Sequence, residues 1–147
     1  MNRRDVNKTL ALATFGSSFA LDTALAQTAT SKPVKLIDLE KIDAKWKYLE
    51  FSFEGIVCLL QRTDVPKEAT PRALVIEKEA FAAVSRVCTH AGCQTELPKT
   101  DGLHVCDCHG SEFNALGLVT RGPARTALPS IKLELREKAI WAVGVIK

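Results

Sequence analysis

Ile131-Lys132-Leu133-Glu134-Leu135-Arg136, then Glu137-Lys138, then Ala139-Ile140-Trp141-Ala142-Val143-Gly144-Val145-Ile146, is the stretch that decides the class of fold. Ile131, Leu133 and Leu135 alternate with charged residues, the period of a strand with one wet face. After the polar pair comes an apolar run broken only by Gly144. Two such segments joined by two polar residues read as a terminal β-hairpin, with one solvated and one buried strand.

Working back from that hairpin, the same signature recurs. Val34, Leu36, Ile37 and Leu39 mark a short strand. Tyr48-Leu49-Glu50-Phe51-Ser52-Phe53 and Ile56-Val57-Cys58-Leu59-Leu60 form two more, punctuated by Glu54-Gly55. Pro66 and Pro71 make residues 62–72 a loop, and residues 73–76 and 81–87 return to strand patterning. No long segment of the body of the chain shows a helical period. The fold class is therefore all-β, an antiparallel sandwich or small barrel. Cys58 lies within an apolar run and reads as a core thiol, and Trp46 and Trp141 as packing residues.

The chain has 147 residues, 46% hydrophobic and 25% charged, which suits one globular domain rather than two. A net charge of +3 without a basic cluster among aromatics argues against nucleic acid as a partner. Five cysteines need an explanation, and four of them fall between positions 88 and 108. Residues 88–125 are rich in Gly, Pro, Thr and Cys, and look like loops carried on the β scaffold.

Two patches there carry the chemistry: Cys88-Thr89-His90-Ala91-Gly92-Cys93 and Cys106-Asp107-Cys108-His109-Gly110-Ser111. Each offers cysteine and histidine at short range, as a centre for a borderline-soft metal requires. Disulfides with incidental histidines would leave two histidines beside two cysteine pairs unaccounted for. Structural zinc suits Cys₂His₂, but its knuckles usually pair like with like, and here each is mixed. His104, between Leu103 and Val105 in a short strand, fits no motif position and reads as a surface histidine.

The spacing C-x-H, a spacer, then C-x-x-H resembles the Rieske [2Fe–2S] family, at Cys88, His90, Cys106 and His109. The resemblance implies a cluster with Cys88 and Cys106 as thiolates on one iron and His90 and His109 on the other. Neutral imidazoles replacing thiolates raise the potential into a range of roughly −150 to +300 mV. Their outward N–H groups allow proton loss to accompany oxidation. The resemblance further implies a Cys93–Cys108 disulfide between the two loops, a Ser111 hydroxyl bonded to a cluster sulfur, and Gly122-Pro123-Ala124 as a third covering loop. Many quinol-oxidising members have a tyrosine where this chain has Phe113, which cannot donate to a ligand sulfur.

The N-terminus is expected to be an export signal over residues 1–26, leaving residues 27–147 as the Rieske domain. Arg3-Arg4 and Lys8 precede a mildly apolar stretch and Ala24-Leu25-Ala26, a small-x-small cleavage site, and resemble a twin-arginine (Tat) leader. A retained membrane anchor is the alternative, but the stretch is far shorter than the roughly 20 residues needed to cross a bilayer and Asp22 closes it, which favours cleavage. Together these imply electron transfer in the periplasm, an oxidising compartment suited to the disulfide. The leader, the run Ser111-Glu112-Phe113 and the compact domain resemble the small Rieske subunit of arsenite oxidase. Such a subunit relays electrons from a molybdenum-containing catalytic partner to a cytochrome c-type acceptor and does not itself turn over substrate. The Rieske subunit of a cytochrome bc-type complex and a free-standing periplasmic carrier are the alternatives.

Overall fold

A computed structural model describes residues 31–99 and 102–147. The expected export signal, residues 1–26, lies outside the described residues. Ten strands follow in order: β1 Val34–Asp38, β2 Tyr48–Phe53, β3 Ile56–Thr63, β4 Leu74–Ile76, β5 Glu79–Ser85, β6 His104–Cys106, β7 Ser111–Phe113, β8 Val119–Arg121, β9 Ser130–Arg136 and β10 Ala139–Ile146. One 3₁₀ turn, Leu39–Lys41, is the only helical element among the described residues. All pairings are antiparallel. The large sheet runs β1-β10-β9-β5-β3-β2 with β4 added to β5, and the small sheet runs β6-β7-β8.

The hairpins form where the sequence places turn residues. Glu54 and Gly55 both take positive φ (51° and 78°), as do Glu137 and Lys138 (49° and 58°). This is the two-residue geometry whose twist matches that of the flanking strands. The terminal hairpin differs from expectation in one respect: its strands share the burden of burial. β9 buries Ile131 and Leu133, β10 buries Ala139, Ile140 and Ala142, and Leu135 is exposed. The reason is that both strands lie inside the large sheet and give one face each to a common core.

That core is built by Phe53, Cys58, Leu60, Phe81, Ile131, Leu133 and Ile140. Burial pushes the Cys58 thiol up to about 11, so it is an inert packing group. A second, smaller core joins Val84, Cys88, Cys106, Phe113, Ala124 and Leu128. Two cysteines of the motif thus belong to the packing beneath the loops. The segments 86–99, 107–110 and 122–129 leave the sheets at that end and are joined to one another beside this second core.

Candidate metal centre

The two motif loops are folded by one local device. Gly92 lies four residues after Cys88, and Gly110 four after Cys106. Each glycine takes φ +76°, a conformation that side-chain-bearing residues rarely adopt. Each donates its N–H to the cysteine carbonyl, at 2.9 Å and 2.8 Å. The first loop is closed further by the Cys88 N–H donating to the Cys93 carbonyl at 2.8 Å. The spacing Cys-x-His-x-Gly and Cys-x-x-His-Gly therefore encodes two tight turns as well as two pairs of donors.

The loops converge. Cys93 and Cys108 are joined in a disulfide with S–S 2.09 Å, tying one loop to the other as the resemblance implied. The third loop is held at two points. Ala124 donates its N–H to Ser111 Oγ at 2.9 Å, and Thr89 Oγ1 donates to the Thr126 carbonyl at 2.6 Å. Arg72 braces the assembly from below, donating to the Leu116 and Leu128 carbonyls at 3.1 and 2.9 Å.

Within this frame the four donors divide by exposure. Cys88 and Cys106 are each 1% exposed and carry free thiols. His90 and His109 are exposed, with ring centroids 4.7 Å apart and planes at 81°. Burial and then the neighbouring Cys88 thiol push the Cys106 thiol upward. Two protonated thiols buried side by side gain little from each other. As thiolates on a cation they would be stabilised, and His90 and His109, carried on the same two loops, would complete a mixed S₂N₂ donor set. The residues present thus fit an iron–sulfur centre.

His104 is a correction. It is fully buried, not at the surface, because β6 pairs with β7 and sets His104 opposite Phe113 in the interior. Its Nε2 lies 2.8 Å from Gln61 Nε2. The Gln61 amide nitrogen also faces the Ala115 carbonyl at 3.1 Å, so Gln61 donates and His104 Nε2 accepts. Burial first, and then the charge of Arg86, lower the His104 pKa to about 4. Gln61, which ends the apolar run of β3, and Arg86 are the residues that motif reading missed. Only their place beside patterned strands could have hinted at them.

A β domain that carries two buried cysteines and two exposed histidines on two bridged loops, braced by a third, defines a class of iron–sulfur protein, and its relatives identify which. Residues 55–132 match the family model described as Rieske [2Fe-2S] domain. The chain belongs to the Rieske family, whose cofactor is a [2Fe–2S] cluster. It is 43% identical over 61 residues to the chloroplastic cytochrome b6-f complex iron-sulfur subunit of Pisum sativum, covering 40% of this chain and 26% of that one. The chain spans 26% to 34% of the length of this and seven other cytochrome b6-f iron-sulfur subunits that it matches. The plasma membrane Rieske protein PetC3 from Synechocystis PCC 6803 superposes with TM-score 0.56 at 29% identity, over 75% of this chain and 97% of that one. A chain of a hyperthermophilic respiratory Complex III does so with TM-score 0.52 at 27% identity, over 72% of each.

Proposed function

We propose that this chain transfers single electrons through its [2Fe–2S] cluster, with Cys88 and Cys106 holding one iron and His90 and His109 the other. The observation that carries this is the division of the donors: two buried thiols against the protein and two imidazoles facing solvent. When bound, the cluster supplies a one-electron couple in the potential range of mixed Cys/His ligation. Cys88 and Cys106 anchor the buried side and exclude water. His90 and His109 present their ring edges to a partner, giving the shortest route for an electron and a place for a proton to be held or released. The Cys93–Cys108 disulfide and the two bonds to residues 122–129 keep the loops from opening. Ser111, whose oxygen accepts from Ala124, would donate its hydroxyl proton to a cluster sulfur.

In this reading, residues 1–26 are a Tat-type leader and residues 27–147 the periplasmic domain. The chain serves as the small subunit of an arsenite-oxidase-type enzyme, receiving electrons from a molybdenum-containing partner and delivering them to a cytochrome c-type acceptor. Substrate turnover belongs to the partner. The disulfide, suited to an oxidising compartment, supports export. Among the described residues no helix is long and apolar enough to cross a membrane.

A second reading is favoured by a specific observation. The curated relatives are iron-sulfur subunits of cytochrome b6-f complexes, at up to 43% identity, which supports a subunit of a bc-type complex. Detergent-free purification from the periplasmic fraction, with a molybdenum assay on the co-purifying material, separates the two. Molybdenum with a large partner supports the oxidase subunit. Recovery only from membranes moves the assignment to the bc-type complex, and a lone soluble iron–sulfur protein moves it to a free carrier.

A further inference from the structure

Each cysteine of the C-x-H and C-x-x-H motifs is preceded, two positions earlier, by a buried nitrogen base. Arg86 precedes Cys88 and is 7% exposed, and His104 precedes Cys106 and is 0% exposed. Arg86 is locked in place. Its N–H donates to the Val57 carbonyl at 2.8 Å, and its own carbonyl accepts the Thr95 N–H at 2.7 Å. Its guanidinium donates through Nη2 to the Thr95 carbonyl and through Nη1 to the Glu50 carboxylate. Nε has no partner among the described residues. Thr95 bonds Arg86 through its N–H and its carbonyl across residues 87–94, so the guanidinium is fastened at the base of the loop that carries Cys88 and His90.

The ion pair is lopsided. The Arg86 side chain is 8% exposed and that of Glu50 47%. Water and salt screen the carboxylate, whereas the guanidinium sits in a medium of low dielectric. The two charges therefore cancel incompletely toward the interior, and net positive charge remains at the base of the first motif loop. Glu96 and Lys99, which line the same surface crevice as Arg86, form their own exposed pair at 3.3 Å.

We propose that the Arg86–Glu50 pair is an electrostatic setting for the reduction potential: Arg86 raises it and Glu50 lowers it. This rests on the ligand assignment above. One added electron makes the cluster more negative by one charge, and a nearby desolvated cation stabilises that state over the oxidised one. The sequence encodes this by placing a guanidinium, with its fixed charge and fork of donors, where it can be both desolvated and held.

The test is a redox titration of cluster-loaded protein, with the reduced-state EPR spectrum recorded for each variant. Arg86→Gln should titrate at a lower potential than the parent, Arg86→Lys near the parent, and Glu50→Gln at a higher one. Lys99→Gln, exposed in the same crevice, should leave the potential unmoved. A pair acting only as a brace would loosen in both Gln variants without opposite shifts. An unmoved or raised potential in Arg86→Gln overturns the proposal, as does a lysine variant lowered as far as the glutamine one. Should Arg86→Gln fail to retain its cluster, Glu50→Gln decides: an upward shift supports the proposal, and none or a downward shift overturns it. Failure of the ligand assignment would appear separately, as a parent spectrum lacking the signature of mixed Cys/His ligation.

Discussion

The Ser111 hydroxyl oxygen accepts a 2.9 Å hydrogen bond from the Ala124 amide and so fastens the third loop to the strand that follows the second motif loop. Both residues are buried, at 0% and 4% exposure. Ser111→Ala would leave the Ala124 N–H without a partner, a cost of about 1–3 kcal/mol. We expect a lower thermal midpoint together with a lower reduction potential, since the proposed donor to the cluster is removed at the same time. Thermal denaturation and redox titration of the same sample check both. A variant that loses stability but keeps its potential would remove Ser111 from the cofactor's surroundings.

The Cys93–Cys108 bridge closes a sequence separation of 15 residues between the motif loops. A loop of that size is constrained by roughly 3 kcal/mol in the chain-entropy account. The Cys93→Ser, Cys108→Ser double variant should therefore lose its visible cluster absorption faster on incubation than the parent. Equal decay rates would show that Ser111, Thr89 and Arg72 hold the loops without help.

Replacing His90 or His109 by alanine removes one of two imidazoles whose rings lie 4.7 Å apart. Each replacement should abolish the native cluster, read from the visible and EPR spectra after expression under identical conditions. A variant with the parental spectrum and potential would take that histidine out of the ligand set.

Phe113 is fully buried and lies directly across the β6–β7 pair from His104. It brings an apolar ring to the second core, where a tyrosine could direct a hydroxyl at a ligand sulfur. Phe113→Tyr should raise the reduction potential, because a hydrogen bond to sulfur favours the added electron. A titration showing no change or a fall would count against this placement.

His104 is held neutral by burial and by the Arg86 charge, with its pKa depressed from 6.5 to about 4. Above about 6.5 the ring is neutral folded or unfolded, and the full stability is present. As pH falls toward 4 the unfolded chain takes up a proton that the folded one refuses, so stability is lost through that window. The size is on the order of a few kcal/mol. Thermal midpoints measured from pH 7 to 4.5 should fall less steeply for His104→Phe than for the parent. Parallel slopes would assign the acid sensitivity to other groups.

Much of the fold and site was legible without coordinates. Period-two alternation in residues 131–136, two-residue turns at Glu54-Gly55 and Glu137-Lys138, and cysteine beside histidine in two short patches are local patterns. Local patterns follow from backbone sterics and side-chain chemistry, so strand positions, the all-β class and the Cys/His motif could be read directly. What tertiary structure decided is everything that joins residues far apart in the chain. Gln61 meets His104 across 43 positions, Arg86 meets Glu50 across 36, and Thr89 meets Thr126 across 37. No local period announces such partners. His104 looked like a surface residue because its neighbours in sequence are unremarkable, yet β-sheet register turned its ring inward, opposite Phe113. The amino-acid sequence by itself determined which atoms could hold the cluster. Packing between strands distant in sequence decided which are buried, which face solvent, and which charged side chain is desolvated at the base of the first loop, because burial and electrostatic fields are properties of the assembled core.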